Sequence, residues 1–124
     1  MQIHESAENY LETILILKQK NGTVRSIDIA TEMSFTKPSV SVAMKSLRTN
    51  GYIEVDSNGL ISLTPSGLAI AEKIYERHQI IAQVLMALGV SEDTAFTDSC
   101  KIEHDISEES FSKIKQHYEK HSVK

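Results

Sequence analysis

Residues 26–63, SIDIATEMSFTKPSVSVAMKSLRTNGYIEVDSNGLISL, decide the fold. Ser26 is the expected N-cap of a helix over Ile27 to Met33, with Ile27, Ile29, Ala30 and Met33 facing inward. Phe35-Thr36 marks a tight turn, and Pro38 falls in the first turn of a further helix reaching about Asn50. Proline is tolerated there because the early N–H groups of a helix have no intrahelical partner. Val40, Ala43, Met44 and Leu47 make the buried stripe, and Gly51 ends the helix. The hydrophobic rhythm then changes. Tyr52-Ile53-Glu54-Val55 and Leu60-Ile61-Ser62-Leu63 are β-prone runs separated by Asp56-Ser57-Asn58-Gly59, and Asn-Gly in such a loop signals a hairpin.

Upstream, Ala7, Tyr10, Leu11, Ile14, Leu15 and Leu17 give Ser6 to Lys20 the stripe of an amphipathic helix, with Ser6 as its N-cap. Asn21-Gly22 stops it, and Thr23-Val24-Arg25 is a short extended stretch. Helix, short strand, helix, tight turn, helix and hairpin follow the order of a winged helix-turn-helix. The third helix is then the candidate major-groove reader, because that groove admits an α-helix. On it Lys37, Lys45 and Arg48 stand with no intervening acid and suit phosphates. Ser39 and Ser41 are short enough to approach base edges, and Val42 offers apolar contact to a thymine methyl. With Pro38, and with Arg25 just before the second helix, these are the candidate DNA-contacting residues. The wing loop, 56–59, carries no basic residue, so little minor-groove reading is expected of it.

Downstream, Thr64-Pro65 opens a long helix bearing Leu68, Ala71, Ile74, Tyr75, His78, Ile81, Ala82 and Leu85 and closed by Gly89. Ser91 is the expected cap of a helix containing Cys100, and Ser107 of a last one carrying Phe111, Ile114 and Tyr118. Cys100-Lys101-Ile102-Glu103-His104 places the only cysteine, a glutamate and a histidine at i, i+3 and i+4, where one helical face presents all three. A thiolate, a carboxylate and an imidazole together suit a divalent transition metal. Glu108 and Glu109 are expected only to favour their helix N-terminus. His4, His117 and His121 read as solvated.

The chain has 124 residues, a formal charge of −4 and 40% hydrophobic residues, enough for one modest core or a small domain with a helical extension. The acidic balance excludes indiscriminate nucleic-acid binding through overall charge but not a local basic face. No apolar run approaches the roughly 20 residues that span a bilayer. Met1-Gln2-Ile3-His4-Glu5 is polar, so no secretory leader is expected, and one unpaired cysteine fits a reducing cytoplasm. With Cys100 and His104 on one helix and no Gly-rich oxyanion loop, an enzyme is not expected.

Several segments, in order, are similar to the diphtheria toxin repressor family of metal-dependent bacterial repressors, which includes iron regulators and shorter manganese regulators. They are Ala7 to Ile14, Ile27 to Ala30, Pro38 to Ser41, Leu63 to Gly67, Arg77-His78 and Cys100 to Ser107. The resemblance implies a mainly α fold: a winged helix-turn-helix DNA-binding domain over 1–64, then a helical metal-binding and dimerisation domain over 65–124. In extent the chain resembles the compact manganese type, without the SH3-like third domain of the longer iron regulators.

Carried across residue by residue, the resemblance implies a main metal position among Asn9, Cys100, Glu103 and His104. A second would draw on Glu12 and His78, with Glu103 bridging. Asn9 stands where iron regulators have methionine and manganese regulators aspartate, and its amide oxygen is a weaker, neutral donor. Ala82 and Phe96 stand where the ancillary site of the iron regulators has ligands. The thiolate shifts preference from Mn²⁺ towards softer ions. Fe²⁺ is the first expectation and Mn²⁺, on the short architecture, the next. The expected function is a cytoplasmic, homodimeric repressor of metal-uptake genes that binds double-stranded operator DNA when its metal is bound. The alternative is a metal-independent winged-helix regulator that senses redox state or a small ligand. A winged module that binds protein instead of DNA is a further one.

Overall fold

A computed structural model describes residues 5–122, and the side chains of 6–120. It contains six helices and one two-stranded sheet: α1 Glu5–Asn21, α2 Ser26–Met33, α3 Lys37–Thr49, β1 Ile53–Val55, β2 Ile61–Leu63, α4 Pro65–Ala87, α5 Glu92–Ile102 and α6 Glu108–Ser122. The chain divides into two compact units, Met1–Glu72 and Lys73–Lys124. None of the helices is long and apolar enough to cross a membrane.

In the first unit α1 packs on α2 and β2, and α3 packs on α2 and β1. Leu11, Ile14, Val24, Ile29, Val40, Ile53 and Ile61 are the largest buried apolar side chains there with 2% exposure or less. The apolar spacing of α1 and α3 predicts Leu11, Ile14 and Val40, and that of α2 predicts Ile29, but Ile27 is 45% exposed. The start of α2 also differs. Its N-cap is Arg25, one residue earlier than expected, and Ser26 is already helical. The Asp28 carboxylate accepts the Arg25 backbone N–H at 2.9 Å, and on the helix so begun Ile27 lies two positions from buried Ile29, on the opposite side. Ser6, likewise, lies inside α1 and does not cap it. The α3 start is as expected: Thr36 Oγ1 accepts the Ser39 N–H at 3.3 Å, and Pro38 sits in the first turn.

The wing is an antiparallel hairpin in the register Ile53–Leu63, Glu54–Ser62 and Val55–Ile61. Its loop is built by Asp56, whose Oδ1 accepts the N–H groups of Asn58 at 2.8 Å and Leu60 at 2.9 Å. Gly59 alone in the loop has a positive φ, +81°. The turn is therefore the three-residue kind with a left-handed glycine, not the two-residue turn that requires positive φ at both positions. Val24 adds one rung, its carbonyl accepting the Ile61 N–H at 2.8 Å.

Thr64 joins the wing to the start of α4. Its hydroxyl donates to the Gly51 carbonyl at 2.7 Å and accepts the Gly67 N–H at 3.2 Å, while its own N–H bonds Tyr52 O at 3.1 Å. This close approach explains Gly67 in a helical turn, since a Cβ there would stand 2.0 Å from the Tyr52 carbonyl oxygen. Gly67→Ala is expected to destabilise by about 1–3 kcal/mol, where an open helical site would gain about 0.5–1 kcal/mol. Urea unfolding of the two proteins reads the sign.

Candidate metal centre and DNA-binding face

The second unit consists of the C-terminal part of α4 with α5 and α6. Helix α4 is cross-linked to α6 by Lys73 Nζ to Glu108 Oε1 at 2.6 Å, Arg77 to the same carboxylate, and Lys115 Nζ to Glu76 Oε2 at 3.0 Å. Glu108 therefore does more than favour a helix N-terminus. The hydrogen bond from Lys73 is the main reason its carboxyl titrates below the usual glutamate range, with the charges of Lys73 and Arg77 adding to it. Glu76 holds the Lys115 ammonium above its ordinary range in the same way.

Against this frame lie the candidate donors. His78 projects from α4 and Cys100 from the last turn of α5. Helix α5 ends at Ile102, yet Glu103 keeps helical dihedrals (φ −59°, ψ −26°), and its N–H bonds Ser99 O at 3.0 Å. The i, i+3 relation of Cys100 and Glu103 survives for that reason. His104 lies in the turn beyond the helix that was expected to carry it. Ser91 occupies the N-cap position of α5, though its side chain makes no capping hydrogen bond.

One ligand atom each from His78, Cys100 and Glu103 lies within 4.8 Å of the other two. His78 Nδ1 stands 3.8 Å from Cys100 Sγ and 3.5 Å from Glu103 Oε2. On the other side of the carboxylate, His104 Nε2 is 3.4 Å from Glu103 Oε1. Each oxygen of Glu103 thus faces a different imidazole, and the residue is 0% exposed. A carboxylate with that burial carries a large desolvation cost unless positive charge offsets it. The donors fit a cation well. Two ligands bonded to one ion at about 2.0–2.3 Å in tetrahedral array stand about 3.5 Å apart, and nitrogen, sulfur and oxygen together suit a transition ion.

His78, expected at the second metal position, therefore also lies beside Cys100 of the first. Its ring packs on Phe96 at 5.6 Å between centroids, so an aromatic wall stands where the longer iron regulators are expected to have a ligand. Asn9 and Glu12 stand one turn apart on α1, half-buried and buried respectively. His4 lies outside the described residues, as does the side chain of His121. The sequence reading missed Arg77 and Ser99 as parts of the site. Their only signal is adjacency, since Arg77 precedes His78 and Ser99 precedes Cys100.

In the first unit the outward side of α3 carries the other candidates. Lys37, Pro38, Ser39, Ser41, Lys45 and Arg48 are all exposed, and Val42 is 72% exposed. Ser41, Lys45 and Arg48 line a shallow groove with Ser26 and Val55. Arg25 is exposed too, and its Nε donates to the Asn58 carbonyl at 3.4 Å. The wing loop, without a basic residue of its own, thereby has a guanidinium at its tip.

Residues 2–59 match the sequence profile of the N-terminal DNA-binding domain of iron-dependent repressors, and residues 64–123 that of their metal-binding and dimerisation domain. The chain belongs to the iron-dependent repressor family. Members of this family are metal-dependent, DNA-binding transcriptional regulators and not enzymes, which sets aside the metal-independent alternative. Among its relatives is the transcriptional regulator MntR of Escherichia coli O6:H1, 34% identical over 120 residues, 97% of this chain and 77% of that protein. A helix-turn-helix-type transcriptional regulator of Methanocaldococcus jannaschii is 33% identical over 118 residues, 94% of either chain. The solved structure of the manganese regulator SloR superposes with a TM-score of 0.80 at 25% identity, over 96% of this chain and 55% of that one. This chain thus spans little more than half the length of that solved relative.

The shifted glutamate gives a pH prediction. The folded-state pKa of Glu108 lies below its ordinary value of 4.5, so its stabilisation is present above that value and is lost as pH falls through the folded pKa. Because Glu108 is well exposed, Glu108→Gln is expected to cost no more than about 1 kcal/mol at neutral pH. The deficit should shrink below pH 4.5. Thermal melts of both proteins across that range test this.

Proposed function

We propose that this chain is a cytoplasmic, homodimeric repressor of metal-uptake genes whose hold on operator DNA depends on a divalent metal bound by His78, Cys100 and Glu103. The observation that carries the reading is the convergence of a thiol, an imidazole and a fully buried carboxylate within 4.8 Å. Asn9, Glu12 and His104 are the proposed further donors. Asn9 and Glu12 have the i, i+3 spacing that places two side chains on one face of α1.

The proposed domains are the DNA-binding residues 1–64 and the metal-binding, dimerising residues 65–124. A metal supplies positive charge that polarises and holds its donors. The rest of the work falls to this chain's residues. Glu103 brings the negative charge, Cys100 the sulfur that selects against hard ions, and His78 a neutral nitrogen. Fe²⁺ is proposed first on the thiolate. Mn²⁺ comes next, supported by the relationship to MntR.

On the DNA, Lys37, Lys45, Arg48 and Arg25 are proposed to meet phosphates, and Pro38, Ser39, Ser41 and Val42 the base edges. A net charge of −4 leaves little non-specific attraction. Affinity must then come from two copies of this face reading half-sites about one duplex turn apart, or a multiple of it.

Operator titration with and without metal, anaerobic for Fe²⁺, is the test. Affinity is expected to rise about 5–150-fold on metal addition, with DNA tightening metal by the same factor. Identical affinities in all conditions contradict the proposal. Cys100→Ala and Glu103→Gln should each erase the metal response. Lys45→Ala should instead weaken binding to all sequences alike and lower the salt slope by about one, as measured by titration at several salt concentrations.

A further inference from the structure

The side chain that ties the candidate donors together is Arg77, and it holds none of them by their ligand atoms. Arg77 is 6% exposed. Its Nη1 donates to the backbone carbonyls of Glu103 at 3.0 Å and Ile106 at 2.9 Å, and its Nη2 pairs with Glu108. The guanidinium lies 5.1 Å from the centroid of the Phe111 ring. The last carbonyls of a helix have no intrahelical donor. Since α5 ends at Ile102, Arg77 provides one from outside the helix.

A second tie runs the other way. Ser99, fully buried, donates its hydroxyl to the backbone carbonyl of His78. The two ties cross between α4 and the end of α5. Ser99 precedes Cys100 and holds the backbone of His78, while Arg77 precedes His78 and holds the backbone of Glu103. Every residue of the converging triad is therefore either tethered at its own carbonyl or adjacent to a tethering side chain.

We propose that Arg77 is a positioning residue of the metal centre. Its planar fork fixes the 103–106 turn and so holds the Glu103 carboxylate beside His78 and Cys100 before any ion binds. Glu108, drawn in by Lys73, anchors the far end of that fork. The inference rests on the metal-site reading above, and it makes ion affinity and coordination depend on a side chain with no donor atom. Lysine would keep the charge but cannot span two carbonyls and a carboxylate in one plane. Groups that orient metal ligands in this way typically govern affinity by about 10–100-fold.

The test is an anaerobic Co²⁺ titration of the full chain, reading the thiolate-to-cobalt absorption band, the d–d bands, and affinity by chelator competition. Wild type is compared with Arg77→Lys, Arg77→Met and Glu108→Gln, each also melted without metal. The wild type is expected to show the sulfur band. The Arg77 variants should bind Co²⁺ about 10–100-fold more weakly, with altered d–d bands even where they are folded at the titration temperature. Glu108→Gln, a surface change, should shift affinity less but in the same direction, and it decides the question if the Arg77 variants do not fold. A wild type without the sulfur band removes the metal reading and this inference with it. A wild type with the band, beside folded variants of unchanged affinity and spectrum, overturns this inference alone and leaves Arg77 a stabiliser of the α4–α6 packing.

Discussion

A carboxylate excluded from water sets the terms for the second unit. Glu103 has no solvent exposure, and burying its charge is tolerable only where positive charge or strong donors surround it. Each of its oxygens faces an imidazole, His78 at 3.5 Å and His104 at 3.4 Å, with the Cys100 thiol alongside, a set of donors to which a cation would add the offsetting charge. A well-packed apolar residue would cost less at this position. The arrangement makes sense as one held ready for a cation, and the flanking pairs of α4 and α6 keep it in place.

The fold of the first unit was legible because its signals are local. Thr36 with Pro38 announces α3, Asp56 with Gly59 builds the wing, and the stripes of α1 and α3 name the core. What escaped was the register of one cap. Arg25 and Asp28 start α2 a residue early through a backbone hydrogen bond, and Ile27, two positions from buried Ile29, falls on the opposite, exposed side of the helix. The wing shows the same limit. Its loop lacks basic residues, but Arg25, 33 positions earlier, supplies one through space.

The candidate site was half legible. Cys100 and Glu103 follow from helical spacing, whereas His78 came only from a family resemblance, because nothing local links two residues 22 apart. His104 was assigned to a helix that stops before it, and the end of α5 is governed by contacts from α4 that sequence spacing does not encode. Arg77 and Ser99 were invisible as functional residues for the same reason, since their partners are backbone carbonyls and a carbonyl has no residue type. Glu108 stands in the first turn of α6 as read, but that reading missed Lys73 and Arg77, which reach it from another helix.

The relationship to iron-dependent repressors supplies the family, and the structure adds a donor set within this chain: a thiol beside an imidazole that also faces the Glu103 carboxylate. The most direct measurement is X-ray absorption at the iron edge of protein loaded with Fe²⁺ without oxygen. The account predicts one sulfur neighbour among nitrogen and oxygen scatterers, lost when Cys100 is replaced by alanine. A shell of nitrogen and oxygen alone, unchanged by that replacement, would contradict it.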